Sequence, residues 1–173
     1  MPVQIVRPSK FFRSSVGDLT PNNAGQLKVL LERAMPPAFT DDLDAFCKAA
    51  AATEDLCSLV YFNDMPVGAV VCAKEVDPKN VPVVVSNKKA NSAQQPSNPP
   101  HKIVIQALCV LEPYRTLGLA TRLIESVVER TNEKTESIKV VKMDGSDDAA
   151  VTAIFSKTGF SQQDGAWVNT LNK

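Results

Sequence analysis

The stretch from Ile103 to Ile124 constrains this chain more than any other, because an apolar run from Ile103 to Leu111 passes through a short turn directly into a helical pattern. At the turn stand Arg115, Gly118 and Ala120, spaced R-x-x-G-x-A, with Thr121 one step into the helix. The first amides of a helix lack intrahelical acceptors, and the helix dipole adds roughly half a positive charge there. That combination suits a phosphate. Small residues at 118 and 120 let a pyrophosphate approach the backbone closely. The spacing alone is common; the strand before it and the helix after it give it weight.

The remaining segments supply the layers such a unit needs. Residues 1–17 carry only a weak pattern, with an edge strand expected at Val3 to Val6. Thr20-Pro21 is a capping hydroxyl followed by proline at the first helical position. Leu27, Leu30, Leu31 and Ala34 then share one helix face, and Pro36-Pro37 ends it. Thr40-Asp41-Asp42 opens a second helix with Leu43, Phe46, Cys47 and Ala50 on one face. Two short apolar runs, Leu56 to Phe62 and Val67 to Ala73, flank Asn63-Asp64-Met65-Pro66 and read as an antiparallel hairpin.

Residues 77–100 form a polar, proline-rich insertion, expected to be a flexible loop. A strand at Ile138 to Val141, a helix at Asp147 to Lys157 and a strand at Trp167 to Leu171 complete the order. It is an α+β pattern with a mixed sheet.

The 173 residues suffice for one domain, and nothing requires a second. With 19 basic and 19 acidic side chains the net charge is zero, so no global field draws the chain to nucleic acid or to an anionic membrane. Cys47, Cys57, Cys72 and Cys109 are widely spaced in apolar contexts, which predicts reduced, buried thiols rather than a disulfide framework or a zinc site. No signal-like run or stretch near the ~20 apolar residues of a membrane helix occurs, and a cytoplasmic location is expected.

The strand, turn and helix of 103–124 resemble the acetyl-CoA site of the GCN5-related N-acetyltransferases (GNAT). Three further segments are similar to one branch of that family, N-alpha-acetyltransferase 50, the catalytic subunit of NatE, and most to its fungal members. They are Gly17-Asp18-Leu19-Thr20-Pro21-Asn22-Asn23, the hairpin from Tyr61 to Val70, and Leu111-Glu112-Pro113-Tyr114-Arg115 with Leu117-Gly118. The resemblance implies a single GNAT domain over 1–173, a mixed central sheet flanked by helices, with the insertion at about 77–100 as its main extra length. It implies that the backbone of Leu108 and Val110 holds the pantetheine arm of acetyl-CoA. Arg115, Thr116, Gly118, Ala120 and Thr121 then surround the pyrophosphate. A slot for a substrate's first methionine falls on Met35, Pro36, Pro37 and Phe39, with Trp167 from the last strand.

The implied reaction is transfer of acetyl to the α-amine of protein N-termini, chiefly those beginning with methionine, without a metal or a covalent enzyme intermediate. The implied partners are N-terminal peptides, and NatA subunits or the ribosome. Three positions depart from the family pattern. Its strand tyrosine falls on Val104, its histidine in the next strand on Met143, and its helix tyrosine on Phe155; none of the three can exchange a proton. Substitutes within the sequence are His101, expected at the surface beside the insertion, and the carboxylates Glu112 and Asp144; Tyr114 is expected to pack the turn. A rival reading is an acetyl-CoA-binding scaffold subunit that has lost catalysis. A third is an acyltransferase for lysine side chains or small amines.

Overall fold

A computed structural model describes residues 13–35, 41–53, 56–80, 99–140 and 149–171. The expected strand at Val3 to Val6, residues Pro36, Pro37, Phe39, Met143 and Asp144, and most of the insertion lie outside the described residues.

Seven strands form one sheet in the order β1-β2-β3-β4-β5-β7-β6. In chain order the elements are β1 (Ser14–Asp18), α1 (Ala24–Ala34), α2 (Leu43–Ala52), β2 (Ser58–Phe62), β3 (Met65–Val76), β4 (His101–Val110), α3 (Leu119–Glu129), β5 (Thr135–Val140), α4 (Ala149–Lys157), β6 (Ser161–Gln163) and β7 (Ala166–Thr170). Every neighbouring pair is antiparallel except β4 and β5. Helices α1 and α2 bury Leu27, Leu30, Leu31, Cys47 and Ala50 against one sheet face. On the other face, α3 buries Leu119, Leu123, Ile124 and Val127, joined by Phe155 of α4.

Several boundaries differ from the sequence expectation for local reasons. The first helix starts at Ala24 rather than at Pro21, because Asn23 binds residues 18–20 into a turn: its Oδ1 accepts from the Thr20 amide at 2.7 Å and its Nδ2 donates to the Asp18 carbonyl at 3.0 Å. β1 lies at Ser14–Asp18, where only one valine marks it, since an edge strand needs few apolar side chains. The second helix is capped as expected near its start, with Asp42 accepting from the Ala45 amide at 2.9 Å. The β2–β3 turn is the two residues Asn63 and Asp64, with φ of 46° and 67°. Paired positive φ values are the type I′ hairpin geometry, which matches strand twist. β5 begins at Thr135, three residues ahead of the expected Ile138, and the short strand β6 carries no apolar pattern at all.

All four cysteines are buried free thiols. Burial pushes the Cys109 thiol up to about 11 and raises those of Cys57 and Cys72 as well, so all three stay protonated near neutrality.

The close approach of β3 to β4 depends on Gly68, which is paired with Val110. A Cβ there would lie 2.7 Å from the Cys109 carbonyl oxygen, 2.9 Å from Val60 Cγ1 and 3.0 Å from Val110 Cγ2. Gly68→Ala is therefore expected to cost about 1–3 kcal/mol in denaturant unfolding, the usual scale of overpacking a core. A loss below about 0.5 kcal/mol would show that the two strands part without strain, on the scale of ordinary surface changes.

Candidate functional site

The site is built on a change of phase inside β4. Before Gln106, Ile103 and Ile105 face the α3 layer; after it, Ala107 and Cys109 face the α1/α2 layer, and Leu108 and Val110 face α3. The register explains the switch, because Val71 pairs with Ala107 while Cys72 pairs with Ile105. Gln106 is an extra residue, a bulge of the kind that bends and twists a strand. The described part of β5 stops beside it, its last residue Val140 paired with Ile105. Among the described residues, nothing pairs with 106–110 on that side, and Gln106 has no strand partner on either side.

Which backbone groups line the open edge follows from strand alternation. The Leu111 amide donates to the Val67 carbonyl at 2.8 Å, so 111, 109 and 107 turn toward β3. Leu108 and Val110 therefore present their backbone to the fork. One of those groups is already used, since Arg115 Nε donates to the Val110 carbonyl at 3.0 Å. That bond anchors the exposed guanidinium at the end of the edge and leaves its terminal nitrogens free to turn outward.

Beyond Val110 the chain makes a 3-10 turn, Glu112–Leu117, and enters α3 through Gly118 at φ 72°. That left-handed conformation favours glycine. A Cβ at Gly118 would meet nothing within 4 Å, so open space lies in front of the turn. No side chain caps α3 and no acidic residue lies in its first turn. This contrasts with the Asp42 cap of α2. The α3 amides of Leu119, Ala120 and Thr121 are left for a ligand, where the dipole favours an anion. Tyr114 rests on Phe62 with ring centroids 5.2 Å apart, which holds the turn against the hairpin.

The other predicted residues are distributed differently. Val104 lies one residue before the fork, half-buried and paired with Ala73 and Lys139. Met35 ends α1, half-buried against the α1/α2 core. Trp167, expected at the substrate, is instead 7% exposed and stacked on Phe155 at 5.6 Å. Phe155 also packs against Phe160, at 5.3 Å, so the indole and the phenyl rings are committed to the core beneath the sheet. Glu112 is exposed in the turn beyond that edge, and Leu111 just before it is about 16 Å from Gln106 for five extended steps.

His101 corrects an expectation. It is 2% exposed rather than at the surface, with Nδ1 3.1 Å from the Pro99 carbonyl oxygen and Nε2 3.3 Å from Thr135 Oγ1. It pins the return of the insertion to the start of β5, where a polar Asn132–Thr135 turn gives its ring a partner. Four strand residues separate it from Ile105, about 13 Å. That span is too long for direct proton transfer at the fork. Gln106 was absent from the sequence candidates, although the signal exists: it is the one polar residue between Ile103 and Leu111.

A strand edge with no partner among the described residues, running into a helix N-terminus without a side-chain cap, is suited to an extended, amide-bearing arm with a phosphate head. Comparison with known proteins agrees. A model of the Acetyltransferase (GNAT) family matches residues 26–160. N-alpha-acetyltransferase 50 of Danio rerio is 34% identical over 116 residues, which cover 67% of this chain and 55% of the relative. An uncharacterised N-acetyltransferase of Schizosaccharomyces pombe is 30% identical over 115 residues, 66% of each chain. The chain thus spans about half to two thirds of the length of these curated relatives. Among solved structures, Arabidopsis thaliana Naa50 in complex with the bisubstrate analogue CoA-Ac-MVNAL superposes with a TM-score of 0.67 at 20% identity, covering 92% of this chain and 99% of that one. Arabidopsis thaliana NAA60 in complex with acetyl-CoA gives 0.65 at 14% identity, covering 92% and 100%. The chain belongs to the GNAT acetyltransferase family.

Two outcomes test the assignments above. Gly118→Ala and Gly118→Glu carry the same left-handed backbone strain, but only the second brings bulk and negative charge to the α3 terminus. Calorimetry with acetyl-CoA is expected to show measurable binding for alanine and none for glutamate; equal affinities would remove the phosphate assignment. His101→Ala is expected to lower stability by about 1–3 kcal/mol, the range for a buried hydrogen-bonding partner. Its turnover should stay within a few-fold of the parent, and a hundredfold drop in a folded variant would restore a catalytic role.

Proposed function

We propose that this chain transfers the acetyl group of acetyl-CoA to the α-amine of protein N-termini, chiefly those that begin with methionine. The observation that carries the reading is the fork at Gln106 opening onto the uncapped start of α3. The pantetheine arm would pair with Leu108 and the Val110 amide as an added strand does. Arg115, Thr116, Gly118, Ala120 and Thr121 would hold the pyrophosphate, and the thioester would then lie at the fork beside Val104.

The acyl donor and its arm occupy the open edge and the α3 side, so the amine reaches the thioester from the α1/α2 side. Met35 lies at that side with Pro36, Pro37 and Phe39 following it in sequence, and these four are the proposed methionine slot. Trp167 is left out of it because its ring is spent on the core. The names of the relatives support an N-terminal substrate: one is N-alpha-acetyltransferase 50, and a structural neighbour holds an analogue ending in the peptide MVNAL.

The reaction is attack of the neutral amine on the thioester carbonyl, with loss of the amine proton and departure of the CoA thiol. An α-amine has a pKa of about 7.7–8.0, so a sizeable neutral fraction exists near neutrality. A general base typically adds about 10²- to 10⁴-fold, and correct positioning can supply more. Val104 and Phe155 offer no proton acceptor or donor. The chain therefore acts by positioning, and its turnover should be modest.

The same two residues favour a second reading, an acetyl-CoA-binding subunit of a NatA- or NatE-type complex in the cytoplasm, at the ribosome, without turnover of its own. Incubation of the purified chain with acetyl-CoA and peptides beginning Met-Leu, Met-Ala or Ser-Ser, followed by mass spectrometry, separates the two. Acetylation of the methionine peptides, absent in Gly118→Glu, is the expected result. Acetyl-CoA binding without any acetylated peptide would overturn the enzymatic reading in favour of the scaffold.

A further inference from the structure

The face of the sheet from which an amine would approach the fork carries, among the described residues, a lysine without a carboxylate partner. Ile138 and Val140 of β5 are buried in the α3 core, at 0% and 3% exposure, so strand alternation turns Lys139 to the opposite face. The register puts Lys139 directly beside Val104 on one side and Val168 on the other, one residue before the fork at Ile105 and Val140. Lys139 is exposed. Its two strand neighbours are apolar. Among the described residues no carboxylate lies within ion-pair distance of it.

Among the described residues of β3 and β4, the other charges on this face stand opposite each other. Lys102 is one row further from the fork and stands opposite Glu75 on β3. Glu136 alternates onto the α3 face. A peptide whose α-amine is at the thioester must lay its next residues over this surface, within reach of a lysine side chain. A lone ammonium there attracts a carboxylate on the incoming chain and repels a second cation.

We propose that Lys139 reads the charge of the substrate, selecting N-termini that carry an acidic side chain at the second or third position. This inference rests on the N-terminal acetyltransferase reading given above. It adds a substrate class to that reading, and it assigns the selection to a residue outside the methionine slot.

The test compares kcat/KM for peptides that differ only in charge, beginning Met-Glu, Met-Leu-Glu, Met-Lys and Met-Leu-Lys, at low and high salt. The parent chain is expected to favour each acidic peptide over its basic counterpart by about twofold to fivefold, the scale of one partly screened charge contact, with the ratio shrinking as salt rises. Lys139→Glu should invert the ratio. Lys134→Glu makes the same charge change at the far end of β5, about 16 Å away, and should leave the ratio as in the parent. Acetyl-CoA binding by calorimetry confirms that each variant is folded. An acid-to-base ratio near one in the parent, or one that Lys139→Glu leaves unchanged, overturns this inference while the acetyltransferase reading stands. If acetyl-CoA binds but no N-terminal peptide is acetylated, the parent reading falls and this inference with it.

Discussion

One extra residue in β4 governs the rest of the molecule. Without Gln106, the side chains of 103, 105, 107 and 109 would all enter one core, and β4 could pair with β5 along its length. With it, the strand serves the α3 core first and the α1/α2 core afterwards. A bulge of this kind bends and twists its strand, and it stands where a ligand arm needs room. The cost is the backbone groups of 106, 108 and 110 that turn away from β3 and have no ladder partner among the described residues. Each unpaired group forgoes about 1 kcal/mol when solvated and more when buried. The bulge is therefore stable only because both cores are well filled around it, and because Arg115 satisfies the Val110 carbonyl at the end of the open edge.

The second half of the site inherits its form from that edge. Once β4 ends against β3 at Leu111, the 3-10 turn must bring the chain back under the sheet within a few residues. Gly118 supplies the left-handed step that allows it. Two arginines of α3 then tie the helix across to β1: Arg122 donates to the backbone and hydroxyl oxygens of Ser14, and Arg130 pairs with Asp18. These contacts, one in the first turn of α3 and one at the residue just after it, favour a single placement of the helix along its axis.

The parts of this arrangement that carry local signals could be read in the sequence. Arg115, Gly118 and Ala120 mark a helix start by spacing, the Asn63-Asp64 pair marks a hairpin, and the leucines of α1 mark a buried face. The parts that depend on neighbours could not. A bulge is defined by a partner strand's register, so Gln106 stood in the sequence only as one polar residue in an apolar run. His101 reads as a surface group beside a polar insertion, and only the fold reveals that the Asn132–Thr135 turn encloses it. Trp167 begins a strand near the site in sequence terms, but which face it takes is set by pairing with Val140, and that pairing sends it to Phe155.

The same dependence on neighbours bears on how the proposed transfer would proceed without a general base at Val104. Val104 has no proton-accepting atom, and its strand neighbours Ala73 and Lys139 bring one apolar and one cationic side chain to the fork. A cation beside a bound ammonium disfavours the charged form of the amine. In the proposed reaction, surroundings that do not accept the proton would thus favour its release to water before attack. The energetic comparison is close: a missing base forfeits about 3–5 kcal/mol, while a like charge across a partly exposed site returns a fraction of that. Positioning must supply the remainder. In this chain positioning is what the bulge, the anchored arginine and the tethered helix provide.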